Sequence, residues 1–230
     1  MANHPANRDE IDQFINRSRT LANPRGGHPR LLFGIDATAS RQPTWDRACE
    51  LQGRMFRATR DLGGLAVQLC YYRGFGELRA SRWLQDEASL LQQMNRVRCA
   101  GGYTQIERLL NHALREHAAA PIRALVFIGD AVEEAIDSLC GKAGECGMLG
   151  LTLFMFQEGR DYEVEQCFKS MARVSKGAYA RFDHHSPHQL ADLLGAVASY
   201  AAAGSQGLIE QGAAGNSGVH RLLEQLRRDS

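Results

Sequence analysis

Five oxygen-bearing residues in this chain have the types and spacing to hold a hard cation. Asp36, Thr38 and Ser40 alternate in the stretch Asp36-Ala37-Thr38-Ala39-Ser40, directly behind the apolar run Leu31-Leu32-Phe33-Gly34-Ile35. A carboxylate and two hydroxyls on one tight loop are ligands for Mg²⁺, Mn²⁺ or Ca²⁺. Thr104 follows Gly101-Gly102-Tyr103 and opens a segment with helical periodicity. Asp130 follows Gly129 at the end of a second apolar run. Taken singly, Thr104 reads as a helix N-cap and Asp130 as a turn residue. Taken together, Asp36, Thr38, Ser40, Thr104 and Asp130 offer only oxygen, each beside a strand end or an adjoining loop. They are therefore expected to converge on one cation.

Convergence requires a sheet, and the hydrophobic pattern supplies one. Strands are expected over residues 31–35, 65–72, 76–83, 122–128, 148–156 and 178–182. Helices are expected over 44–62, 84–97, 104–117, 133–146, 162–174 and 188–203, from apolar residues recurring at helical spacing. Only Arg73-Gly74-Phe75 separates the second and third strands, which predicts a hairpin and one antiparallel edge strand. The remaining strands alternate with helices. The fold class is thus α/β, a three-layer Rossmann-like arrangement with a mostly parallel central sheet and helices on both faces. In such sheets ligands bind at the carboxyl ends of the strands, where the strand order reverses.

Outside that core the reading is coarser. Residues 1–29 form an N-terminal extension with a weak helical pattern from Glu10 to Leu21, broken by Pro24-Arg25-Gly26-Gly27-His28-Pro29. Residues 30–203 form the domain. Residues 204–230 read as a flexible glycine-punctuated tail ending in a short helix with Leu222, Leu223 and Leu226 on one face, which either frays or docks. Asp183-His184-His185-Ser186-Pro187-His188 carries three histidines, a set that could bind Zn²⁺. Between a last strand and a last helix it reads as a solvated loop.

Composition excludes several classes. The 230 residues carry 27 basic and 26 acidic side chains, so nucleic-acid binding has no electrostatic footprint. No run reaches the ~18 apolar residues of a membrane span, and the first twenty residues lack the apolar stretch of an export signal. Six cysteines without a Cys-x-x-Cys pair then read as reduced thiols in a cytoplasmic protein.

The ordered set of loops resembles the metal-ion-dependent adhesion site of von Willebrand factor type A (VWA) domains. That family carries an Asp-x-Ser-x-Ser loop after the first strand, a Thr after a Gly-rich turn, and an Asp after the fourth strand. Here Thr38 replaces the first Ser and keeps the hydroxyl. Tyr103 is an extra residue between the glycine pair and Thr104. Gly129 stands where Thr is common and Ala131 where Gly is common. The resemblance spans residues 30–203. It implies Mg²⁺, or Mn²⁺ or Ca²⁺, held by Asp36, Thr38, Ser40, Thr104 and Asp130, with an open position for an acidic residue of a protein partner. It also implies an adaptor or assembly role, with an AAA-type ATPase as one partner.

Two other readings stand beside this one. The same loops can be structural, with partners bound through helices or tail and no metal. The chain can also be compared with haloacid-dehalogenase-like phosphatases, which start from an Asp after the first strand. Those enzymes place a second Asp two residues on as acid and base; here that position is Thr38. Neither a phosphate-binding Gly-x-x-x-x-Gly-Lys loop nor a Gly-x-Ser-x-Gly elbow is present. The expectation is a binding protein and not an enzyme.

Overall fold

A computed structural model describes residues 27–183, 187–212 and 217–228. The expected helix at Glu10 to Leu21 and the His184-His185 pair lie outside the described residues.

Six strands form one sheet: β1 (Arg30–Asp36), β2 (Ala66–Arg73), β3 (Glu77–Ala80), β4 (Ala124–Gly129), β5 (Thr152–Glu158) and β6 (Ala178–Phe182). Their order is β3-β2-β1-β4-β5-β6. All pairings are parallel except β2 with β3, the hairpin at the edge. The chain lays β2 on one side of β1 and then returns to lay β4 on the other. The strand order therefore reverses between β1 and β4, and the crevice there opens at the ends carrying Asp36 and Asp130.

The helices between the strands are α1 (Gln42–Leu51), α2 (Gly53–Thr59), α3 (Glu87–Met94), α4 (Ile106–Ala119), α5 (Ile136–Met148) and α6 (Tyr162–Val174). Two more follow β6: α7 (Pro187–Gly212) and α8 (Ser217–Arg228). Alternation along β1 explains the layering. Leu31, Phe33 and Ile35 point into a core shared with α1, α2, α3, α7 and α8. Leu32 points into the core shared with α4, α5 and α6. A strand buried on both faces must be apolar throughout, as residues 31–35 are. Gly34 faces α4, where an added Cβ would lie 2.9 Å from Leu109 Cδ1. The glycine lets that helix approach the strand.

Several boundaries differ from expectation. The helix expected over 44–62 bends after Leu51, where Met55 N bonds Gln52 O, a three-residue repeat in place of four. It closes on a 3₁₀ turn, Arg60–Leu62, with Gly63 at φ 92°. The third strand is shorter than 76–83: beyond Ala80 the regular ladder ends, and Ser81 bonds Leu69 while Leu84 forms an isolated antiparallel bridge with Val67. The helix expected from Thr104 begins at Ile106, with Gln105 at the cap position.

The larger difference is at the C-terminus, expected to be a flexible tail from residue 204. The helix α7 breaks at Gly204, where the backbone is non-helical at φ 66° and the chain kinks, and a second helical stretch runs on to Gly212. The helix α8 then packs against α7 and β6. Val219, Leu222, Leu223 and Leu226 are buried in the same core as β1. The leucine face that would be marginal alone gains its stability from that burial. Gln225 adds a polar lock: its Oε1 accepts from Tyr179 N and its Nε2 donates to Tyr179 O, both at 2.9 Å. The side-chain amide thus bonds β6, the last strand of the sheet, as a further strand would.

Candidate metal centre

Asp36 is the last residue of β1 and is almost fully buried. Its Oδ1 accepts from Thr38 N at 2.7 Å and its Oδ2 from the Tyr72 hydroxyl at 3.3 Å. The Thr38 bond folds the chain back over the carboxylate, and a 3₁₀ turn at Ala39–Arg41 follows. Burial raises the Asp36 pKa above its usual 3.8, more than the Thr38 amide and the nearby Arg41 charge lower it. Thr38 is half-buried, while Ser40 is exposed.

On the neighbouring strand, Ile35 is paired with Ile128, which puts Asp130 just past the level of Asp36. Ala100 N bonds Ala37 O at 3.0 Å, bringing the loop before Thr104 against the first loop. Thr104 is not a helix cap. Its hydroxyl accepts from Glu133 N at 2.9 Å and donates to the Glu134 carboxylate. Its own N–H donates to Glu133 Oε2 at 2.7 Å. These bonds tie Thr104 to the segment directly after Asp130. A hydroxyl has two acceptor positions, so one remains available at Thr104.

The glycines before Thr104 serve a close backbone crossing. A Cβ on Gly102 would sit 2.0 Å from Gly74 O in the β2–β3 turn. Gln105 Nε2 donates to the Arg73 and Gly74 carbonyls across the same crossing. It holds Phe75 and Tyr103 edge to face at 5.3 Å, and both are largely exposed. Tyr103 is thus a rim residue, whereas Trp45 is core, with its indole N–H on Met94 O.

From its place beside the first loop, Arg41 is expected at the rim as a partner contact, and the structure buries it instead. Arg41 is 2% exposed, and its Nη1 lies 3.3 Å from Asp130 Oδ2 and in contact with Glu158. Glu158 ends β5 and also accepts from the Thr44 hydroxyl. The rule that ligands gather at strand ends, applied to β5 as well as to β1 and β4, would have found Glu158. Its place beside the loop marked Arg41, but not its inward turn, because an arginine there normally points to solvent. Beyond Arg41 a cleft of about 860 Å³ opens, lined by Ser40, Asp130 and Glu158 and reaching Tyr179, Arg221 and Gln225.

The donor set suits a hard divalent cation in type. Asp36, Thr38, Ser40, Thr104 and Asp130 supply oxygens only, on loops that meet at the reversal of the sheet. Among the described residues no group of three or more His, Cys, Asp and Glu gathers as a metal cluster, so a cation here would depend on the hydroxyls. The buried Asp36 carboxylate calls for positive charge, and Arg41 already supplies some of it from the side of Asp130.

Comparison with solved structures defines the fold as that of VWA domains. An aerotolerance-related membrane protein from Bacteroides fragilis matches with a TM-score of 0.56 at 16% identity, over 72% of this chain and 98% of that one. The VWA domain of SpRpn10 matches with a TM-score of 0.55 at 11% identity, over 71% and 95%. The vWF domain of the type V pili tip protein Mfa5 from Porphyromonas gingivalis matches with a TM-score of 0.57 at 10% identity, over 74% and 94%. No protein-family model and no curated protein sequence matches the chain. Among the described residues no helix is long and apolar enough to cross a membrane.

Proposed function

We propose that this domain is a protein-interaction module that captures an acidic side chain of a partner through a divalent cation, Mg²⁺ or a similar ion. The observation that carries the reading is the meeting of three loops at the strand reversal, with Asp36 buried beneath them. Two carboxylates and neutral hydroxyls leave a bound divalent ion short of ligands, and Mg²⁺ keeps its remaining positions hydrated. Such an ion supplies a coordination position that a partner carboxylate can take. Asp36 and Asp130 would provide the charge, Thr38, Ser40 and Thr104 the hydroxyl ligands, directly or through water. The exposed Phe75 and Tyr103 pair would contribute apolar contact area beside it. Thr38 offers no acid or base two residues after Asp36, so the site is read as binding and not as catalysis. An adaptor or assembly role in the cytoplasm, with an AAA-type ATPase as partner, rests on the family resemblance alone.

Calorimetry with Mg²⁺ and Mn²⁺ on the wild type and Asp36→Ala tests the reading. Binding by the wild type that disappears in Asp36→Ala supports it. A wild type that takes up neither ion at millimolar concentration sinks it. In that event the second reading stands, a VWA scaffold that binds without metal, for which Arg41 at Asp130 is the favouring observation.

A further inference from the structure

We infer that Arg41 is a tethered cation that competes with the divalent ion for Asp130 and so sets the threshold at which the site loads. This inference rests on the metal-dependent reading above and concerns the regulation of the same site.

The argument begins with charge. Asp36, Asp130 and Glu158 end three strands, β1, β4 and β5, which lie side by side in the order β1-β4-β5. Without a cation, neighbouring carboxylates repel one another, as Asp130 does Asp36. Arg41 enters from the turn after Ser40 and places Nη1 against both Asp130 and Glu158. The chain therefore carries a counter-ion of its own, which lets the fold close without metal.

Arg41 is also poorly satisfied. A guanidinium has five N–H donors, and a structural arginine commonly pairs through its two-pronged edge. Here Nε and Nη2 are buried and have no hydrogen-bond acceptor among the described residues. Buried donors without acceptors cost free energy, so this state is less stable than the same ion pair fully bonded. Among the described residues no acceptor holds the side chain from that edge, and the cleft of about 860 Å³ that it lines offers room outside. Arg41 is held by charge at one nitrogen and is free to yield to a stronger charge.

A divalent ion bound to Asp130 would share that carboxylate with the guanidinium. Like charges over a few ångströms in a partly buried setting repel strongly. Loading must then either push the guanidinium off Asp130 or proceed against its charge, and in both cases Arg41 lowers metal affinity. Removing the charge has the opposite effects on the two states. It frees the site for metal, and it leaves the metal-free domain without the guanidinium that lies between Asp130 and Glu158.

The test is Mn²⁺ binding by calorimetry, with thermal melts in chelator and in Mg²⁺, on wild type, Arg41→Gln, Arg41→Lys and the double variant Arg41→Gln/Glu158→Gln. The double variant removes the cation together with its other partner and guards against loss of fold. Arg41→Gln should bind Mn²⁺ about 10-fold tighter or more than the wild type, the effect of one nearby charge at moderate dielectric, and the double variant, which also loses the Glu158 charge, should fall between the two. Arg41→Lys keeps the charge and should keep the weaker binding. Mg²⁺ should raise the melting temperature of Arg41→Gln more than that of the wild type, because a ligand stabilises in proportion to how far it saturates the folded state. Binding by the wild type that is equal or weaker in the two glutamine variants overturns the inference and leaves the metal-dependent reading in place. Failure of all four proteins to bind Mn²⁺ overturns both.

Discussion

The corner around Arg41 and the seam around Gln225 lie on the same cleft, and they treat buried polar groups in opposite ways. At the seam every bond is met. Gln225 pairs with both backbone groups of Tyr179, and the Tyr179 hydroxyl donates to Gln157 Oε1 at 2.7 Å. Gln157 Nε2 in turn donates to Asp161 O at 2.8 Å. The groups are neutral and the surrounding leucines are packed. At the corner a full positive charge is buried with two nitrogens unmet among the described residues, near a carboxylate, Asp36, whose pKa is raised by burial. A satisfied polar network stiffens a fold, whereas an incompletely satisfied one holds free energy that a ligand can release. The seam is therefore read as structure and the corner as the place where something binds.

This contrast can be broken most forcefully at the seam. Leu222→Ala removes a fully buried side chain from the α8 face and should cost about 2–5 kcal/mol, read as a lower urea midpoint. The metal affinity of the folded protein should not change. A loss below ~1 kcal/mol would mean that α8 is not part of the cooperative core, and the tail reading would return.

A smaller loss is expected from Gln225→Ala. It strips two hydrogen bonds from Tyr179 and should destabilise by about 1–3 kcal/mol in the same measurement. If the loss is nil, water replaces the amide and the seam is not the sealed edge described above.

The corner should respond with the opposite sign, though more weakly. Asp36→Asn keeps an acceptor for Thr38 N and removes the buried charge. In chelator it should melt a few degrees higher than the wild type while losing metal binding. The pH dependence follows from the raised pKa. As pH climbs past the usual 3.8, the unfolded chain gives up the Asp36 proton before the folded chain does. Wild-type stability relative to Asp36→Asn should therefore fall from that pH upward, until the folded carboxyl has also ionised, and stay level beyond. A melting temperature that drops in Asp36→Asn at neutral pH would show that the Asp36 charge is well solvated or well paired, and the contrast with the seam would collapse.

Much of the fold was legible because burial leaves a period in the sequence. The continuous apolar runs of β1, β4 and β5 announce strands covered on both faces. The helix at 162–174 and the strand at 178–182 fall where the pattern puts them. The helix boundary near Thr104 was not legible, since Thr104 and Gln105 are held by Glu133, Glu134 and the hairpin rather than by local preference. The site was legible only in part for a similar reason. Asp36, Ser40 and Asp130 follow recognisable strand ends; Ser40 and Asp130 line the cleft, and Asp36 is buried at the end of β1. Glu158 also ends a strand but sits on an element whose loop carries no familiar spacing.

By itself, then, the sequence determined the layered α/β class, the antiparallel edge hairpin and the oxygen-rich loops, because side-chain period and turn chemistry are local properties. Only the tertiary structure decided that α8 belongs to the core and that Arg41 turns inward to Asp130 and Glu158. Both depend on residues more than a hundred positions away, or on a face that is buried only when its partner arrives. Burial free energy and charge pairing are properties of the assembled neighbourhood, and no window of sequence contains it.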